Sequence, residues 1–363
     1  MKNIIYKGAI NALSFGNVSY NLLREMYREQ IQVSFFPIGE NLNFESFDKI
    51  DEDFKKWIIS MAQNRYHLMD KDYPTFSQWH LNGSENRISR HQTLFSFHET
   101  DEVTETEKSI ARLQDNCIFS STHAYEIFKN SGCDNVHYVP IGFDEDFHNT
   151  DEEYLPEKIH FGLMGKFENR KNTQQIIKNW AKKYGNNYKY QLSCCVTNPF
   201  FKPEQMNQLI AQTLGGQSYG NINFLPHLKT NSEVNEFMNA IDIDLTGLSG
   251  AEGWNLPAFN STALGKWSIV MNHTSHKDWA TAKNSVLIEP EISVDIYDQA
   301  FFHKGQPFNQ GSMNKISDET MIEAFEKSEK LSGKKNNEGL KLKEEFTYSK
   351  TLKSILNIIN NEK

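Results

Sequence analysis

Short apolar runs alternate with stretches of helical spacing along most of this chain. Residues 3–10 read as a strand, followed by a polar turn at 11–17 that contains Gly16. Residues 18–29 then place Leu22, Leu23, Met26 and Tyr27 on one helical face, and 31–36 return to a strand pattern. Further strands are predicted at 93–97, 117–120 and 136–139, with a helix over 122–130 closed by Ser131 and Gly132. The acidic, polar stretch 148–158 interrupts this rhythm. The alternation then restarts: strand 160–164, helix 173–184, strand 188–196, helix 204–212, strand 223–225, helix 232–239, strand 241–245, helix 258–264, and strands 267–272 and 286–288. Such alternation predicts an α/β protein with mostly parallel sheets. The break divides it into a doubly wound domain over 1–147, a linker over 148–158 and a second domain over 159–340, with a final segment at 341–363.

Composition adds limits. At 363 residues the chain is long enough for two separate cores, and its 38% hydrophobic and 23% charged content is that of a globular protein. No stretch reaches the roughly 20 apolar residues of a membrane span, and no signal segment precedes the first strand, so the cytoplasm is the expected location. Cys117, Cys133, Cys194 and Cys195 lack metal or disulfide spacing and read as small buried hydrophobes. A net charge of −9 argues against general nucleic-acid binding, while leaving room for a local basic groove at Lys166, Arg170 and Lys171.

The candidate chemistry sits in two turns. Residues 249–257 (SGAEGWNLP) follow an apolar run and lead into good helix material, with Pro257 near the first helical position. Free amides and the positive end of such a helix form an anion site. Glu252 on the same turn adds a group for hydroxyls, so the two together suit a nucleotide-sugar. The other turn, residues 165–172 (GKFENRKN), follows a strand and brings cations that neutralise a diphosphate. Asp242 and Asp244 spell a metal-binding pair, but they lie in the strand leading to the Glu252 turn and read as structural.

Residues 252–265 resemble the E-G-(F/W)-G-L-P turn and following helix of family 4 among the retaining glycosyltransferases of the GT-B fold. The 165–172 turn is similar to that family's basic segment, residues 14–19 to its glycine loop, and 97–101 (FHETD) to a strand end carrying a histidine. Residues 136–144 are similar to the segment that ends its first domain, and the C-terminal helix near 351–359 to its final helix, which packs back on that domain. The resemblance implies a GT-B fold of two Rossmann-like domains facing a central cleft. It also implies catalytic roles for Glu252, His98 and Lys171, and donor contacts from Gly16, Lys166, Arg170, Gly253, Trp254, Asn255, Leu256 and Asn260, with Glu99 on the acceptor side. Two positions depart from the pattern: Asn255 replaces a glycine, and Asn260 a glutamate that grips the ribose.

The function implied is retaining sugar transfer from a nucleotide-diphosphate donor, UDP- or GDP-linked, with no metal and no other cofactor. The acceptor is open among a glycan, a small molecule, a protein and modified nucleic acid, and no transmembrane association is implied. Trp79, His80, Arg87 and Arg90 are candidates for an acceptor pocket. The departures at 255 and 260 suggest a second expectation, a related protein that binds nucleotide or glycan without catalysis.

Overall fold

The computed structural model describes residues 3–360 except 40, 151, 153, 199 and 299. Residues 1, 2, 40, 151, 153, 199, 299 and 361–363 of the expected domain, linker and tail ranges lie outside it. The first sheet contains β1 (Asn3–Gly8), β2 (Gln32–Pro37), β3 (Thr75–Gln78), β4 (Gln92–Ser96), β5 (Asn116–Phe119) and β6 (Val136–Tyr138). Its order is β2-β1-β3-β4-β5-β6, and every pairing is parallel. The second contains β7 (Ile159–Met164), β8 (Tyr190–Cys195), β9 (Ile222–Phe224), β10 (Ile243–Asp244), β11 (Trp267–Met271) and β12 (Ser285–Ile288). Its order is β12-β11-β10-β7-β8-β9, again all parallel. A two-stranded antiparallel hairpin, β13 (Ile292–Asp295) with β14 (Ser312–Lys315), was not expected from the hydrophobic pattern.

Crossover helices cover both faces of a parallel sheet, so its strands are buried on both sides. That is why β4, β5 and β8 are buried along their whole length. It is also why β3 escaped the hydrophobic pattern. Thr75, Ser77 and Gln78 are all buried yet polar. Gln78 Oε1 accepts from Ser19 Oγ at 2.6 Å, and Ser19 Oγ in turn accepts from Tyr6 at 3.1 Å. A hydrogen-bonded polar strand thus lies at the centre of the first sheet, where pattern reasoning looks for Val and Ile.

In each sheet the strand order reverses at one place, between β1 and β3 and between β10 and β7. The loops leaving the carboxyl ends of strands at such a switch point diverge and open a crevice. The two crevices face one another.

The helix Ser14–Arg28 starts four residues earlier than its hydrophobic pattern indicated, and buries Val18, Leu22, Leu23 and Met26. Each such side chain contributes about 1.5–3 kcal/mol by leaving water. The last helix, Tyr348–Asn360, packs against it, inserting Leu352, Ile355 and Ile359 into the same core. Its entry is held by Phe143 N–H donating to Phe346 O at 2.9 Å and Thr351 Oγ1 donating to Pro140 O at 2.8 Å. A Cβ on Gly142 would stand 2.1 Å from the Tyr348 amide nitrogen, so that crossing needs a glycine. Among the described residues no helix is long and apolar enough to cross a membrane.

Candidate active site

β7 ends at Met164, and Gly165 turns the chain with φ +129°, a region that favours glycine. A single 3₁₀ turn, Asn169–Lys171, follows, and Asn172 at φ +54° starts the helix Thr173–Tyr184. From β10 the chain passes through a 3₁₀ turn at Thr246–Leu248 and reaches the helix Leu256–Ala263, whose preceding residue, Asn255, has φ +67°. The two loops are stitched together by backbone. Gly250 N–H donates to Arg170 O at 2.7 Å, and Asn172 Nδ2 donates to Leu248 O at 2.9 Å. A Cβ on Gly250 would lie 2.6 Å from Asn314 O and 3.1 Å from Arg170 O, so the approach depends on its absence.

This contact fixes the charges. Lys171 Nζ lies 2.6 Å from Glu252 Oε1, and Arg170 Nη1 lies 3.2 Å from Glu252 Oε2. Arg170 Nη2 donates to Glu168 Oε1 at 2.9 Å, and its other arm also reaches the Ala251 carbonyl. Burial alone would raise the Glu252 carboxyl, but the Lys171 and Arg170 charges outweigh it and hold Glu252 well below the usual carboxylate range. Lys166 is different. It stays half-buried with its ammonium 5.4 Å from the Phe200 ring centroid, and burial lowers its pKa. Among the described residues Lys166 makes no ion pair, whereas Arg170 is largely spent on holding Glu252.

Two adjoining cavities share Leu13, Ser14, Lys166, Lys171, Leu256 and Pro257. The larger, about 270 Å³, runs from Gly165 and Thr197 past Leu228 to Asn260 and Asp144. The smaller, about 210 Å³, lies between the switch points, with Glu252 and Gly253 on one side and Trp79, Phe97 and Glu99 on the other. Nearby contacts tie the two domains: Ser120 Oγ donates to Gly253 O at 2.7 Å, and Thr122 donates from N and Oγ1 to Asp278 at 3.0 and 2.7 Å.

The structure gathers Lys166, Arg170, Lys171, Glu252, Gly253, Trp254, Asn255 and Leu256 around the smaller cavity, with Glu99 opposite, and puts Asn260 on the larger one. The Trp254 side chain itself is 3% exposed and packs on Phe259 and Phe346. Gly253 presses its backbone on Phe97, 2.8 Å from where a Cβ would stand. Asn255 Nδ2 donates to Thr246 O at 3.1 Å and stands 2.9 Å from His276 Nε2. At φ +67° asparagine is one of the few residues that replace glycine without breaking the turn. Asn260 borders the larger cavity, and among the described residues its buried Oδ1 has no hydrogen-bond partner.

Several expectations are corrected. His98 is 3% exposed, packs edge-on against Phe128, and has Nε2 3.1 Å from both Thr100 Oγ1 and Glu102 O. Its neighbours Phe97 and Glu99 line the cleft, because alternate residues of an extended segment point to opposite sides. His98 is therefore a core residue, whereas His80, just after β3, lines the smaller cavity and His227 the larger one. Gly16 lies inside the first turn of its helix and lines neither cavity; its bare Cα admits the Asn11 carbonyl, 2.2 Å from a built Cβ. Arg87 and Arg90 also stand away from the cavities, with Arg87 paired to Asp115. Asp242 Oδ2 accepts from His160 N at 2.8 Å and Asp244 Oδ1 from Thr246 Oγ1 at 2.6 Å, both structural uses. Among the described residues no group of three or more His, Cys, Asp or Glu side chains is placed to hold a metal ion. Phe15 was missed: its buried ring packs at a tilt on Phe97 at the cleft wall, and the turn expected at 11–17 gave no reason to single it out.

No protein-family model matches the chain, and no curated protein matches it. Solved structures do. Sucrose-phosphate synthase from Thermosynechococcus elongatus is similar at a TM-score of 0.69 and 11% identity, over 99% of both chains. The HepE protein from Anabaena, in complex with UDP and glucose, is similar at 0.63 and 12% identity, over 99% of this chain and all of that one. An α,α-trehalose-phosphate synthase from Burkholderia xenovorans is similar at 0.63 and 11% identity, over 99% of each. These are GT-B proteins, and this chain has the GT-B fold.

Proposed function

We propose that this protein is a retaining, metal-independent glycosyltransferase that takes its sugar from a UDP-linked, or alternatively GDP-linked, donor and works in the cytoplasm. The observation that carries the reading is the Lys171–Glu252 contact at 2.6 Å, which brings the basic loop and the helix Leu256–Ala263 to one point between the two switch points. In this reading the diphosphate lies against Lys166, Lys171 and the free amides ahead of that helix, and the nucleoside occupies the larger cavity beside Asn260. Glu252 takes hydroxyls of the donor sugar in the smaller cavity. The bond from the anomeric carbon to the diphosphate oxygen breaks with its electron pair going to the diphosphate. The acceptor hydroxyl adds on the same face, and its proton passes to a diphosphate oxygen. The chain's own cations stabilise the leaving group, a role a metal fills elsewhere. The division into an acceptor-side domain over 1–147 and a donor domain over 159–340 belongs to the same proposal.

The structural neighbours support a UDP donor, since HepE structures contain UDP, UDP-glucose, or UDP with glucose. A protein that binds without catalysis has one observation in its favour, the loss of a charged carboxylate at Asn260. Asn255 no longer counts toward it, because its positive φ keeps the turn. Incubation with a panel of UDP- and GDP-sugars, with chelator present, separates the readings. Release of free diphosphate nucleotide is the expected result; tight nucleotide binding with no release at any donor would leave only the binding function.

A further inference from the structure

We propose that the acceptor is an uncharged saccharide, seated on an aromatic wall formed by Phe15, Trp79 and Phe97 with its hydroxyls held by Glu99 and His80. This rests on the nucleotide-sugar reading above and names the other substrate of that reaction.

The wall is built from three separate strand ends: Phe15 follows β1, Trp79 and His80 follow β3, and Phe97 and Glu99 follow β4. Phe15 is its hub, with ring centroids 4.5 Å from Phe97, 5.4 Å from Trp79 and 4.3 Å from His80. Only Phe15 is buried; Trp79 and Phe97 are half-buried and His80 is exposed, so the aromatic surface opens into the smaller cavity instead of filling the core. A pocket with flat apolar walls and a few polar groups at its edge fits a ligand with the same division. A sugar ring has it: one face of C–H bonds and an edge of hydroxyls. Glu99 supplies a charged acceptor for those hydroxyls, a stronger partner than a neutral group.

Charge decides against anionic acceptors. The cations lining this cavity, Lys166, Arg170 and Lys171, all stand on the second-domain side, and two of them already pair with Glu252. Among the described residues lining it, the first-domain side offers no Lys or Arg, and its carboxylate is Glu99. Lys166, which lines the same cavity, is taken by the donor diphosphate in this reading, so a phosphorylated sugar or a nucleic acid seated there would set its charge against Glu99 and that diphosphate and have to share its cation.

The test is saturation-transfer NMR with UDP bound, using methyl α-glucoside, methyl α-galactoside and maltose as probes, against glucose 6-phosphate and a simple phenol. The expected result is contact from C–H protons of at least one neutral saccharide and none from glucose 6-phosphate. Trp79→Ala should abolish it and Trp79→Phe retain it, with UDP affinity by calorimetry within about twofold in both, which shows the variants folded. Glu99→Lys should shift preference about tenfold toward glucose 6-phosphate. Contact from glucose 6-phosphate exceeding that of glucosides, contact from phenol alone, no contact from any neutral saccharide while UDP binds, or insensitivity to Trp79→Ala would each overturn the inference. Failure to bind any nucleotide would instead remove the transferase reading on which it stands.

Discussion

Lys171 Nζ and Glu252 Oε1 stand 2.6 Å apart although 81 positions separate them in the chain, and their contact joins the loop after β7 to the loop after β10. Both ends are nearly buried, with side-chain exposures of 15% and 7%, and Arg170 completes the group. A buried ion pair of this kind is weak support for stability in itself, but removal of one partner strands the other. Its value here is positional: it orients a carboxylate and a cation toward one cavity.

Glu252→Gln should therefore unfold more easily, by about 3–5 kcal/mol, because Arg170 and Lys171 lose their shared counter-charge. Transfer should fall at least a hundredfold if Glu252 holds the donor sugar. Urea midpoints and donor turnover measure the two separately. Turnover near wild type in a folded Glu252→Gln protein would remove Glu252 from the site.

The same carboxyl predicts a pH dependence. Glu252 titrates lower in the folded chain than in the unfolded one, so below the ordinary glutamate range the unfolded chain binds the extra proton. Its contribution is complete above about pH 4.5 and drains away as the pH falls further. The stability gap between wild type and Glu252→Gln should thus narrow from pH 5 to pH 3, as read from urea midpoints across that range.

Asn255 offers a backbone test. Asn255→Gly and Asn255→Ala both lose the side-chain contacts to Thr246 and His276, so the difference between them isolates the φ of +67°. Alanine should be the less stable by about 1 kcal/mol. Equal melting temperatures would show that the turn relaxes.

Asn260 bears on nucleotide recognition. If its side-chain amide, on the wall of the larger cavity, meets the ribose, Asn260→Ala should weaken UDP by about 1 kcal/mol, roughly fivefold. Calorimetry decides, and identical affinities would place the ribose elsewhere.

The two histidines should separate cleanly. His98→Ala should cost about 1–3 kcal/mol of stability through its lost partners Thr100 and Glu102, while kcat and KM stay within about twofold. His80→Ala should leave stability nearly unchanged and lower transfer, since the ring is exposed at the cleft. The opposite pattern would restore His98 to the reaction.

Much of this was legible in the sequence. The alternation of elements announced two parallel-sheet domains, and the glycine, proline and charge punctuation of 165–172 and 249–257 marked both loops that meet at the site. Turn chemistry is local: Gly165 and Pro257 act through their own backbone torsions, whereas the need for Gly250 comes from the distant Asn314 and Arg170 carbonyls that press on it. β3 was not legible, because hydrogen-bonded Thr75, Ser77 and Gln78 gave a central strand a polar face. His98 was misjudged by one residue of strand parity, which no local pattern fixes when the strand end is short.

The sequence by itself determined the alternation of strands and helices, β3 and the β13–β14 hairpin aside, and the presence of a cationic turn and a carboxylate turn. Only the tertiary structure decided that Lys171 meets Glu252, that Arg170 is committed to holding that carboxylate, and that Phe15, Trp79 and Phe97 join into one wall. The reason is one of range. Torsion preferences and hydrophobic periodicity act over a few residues, whereas these contacts depend on strand order at two switch points and on which face each loop presents after packing.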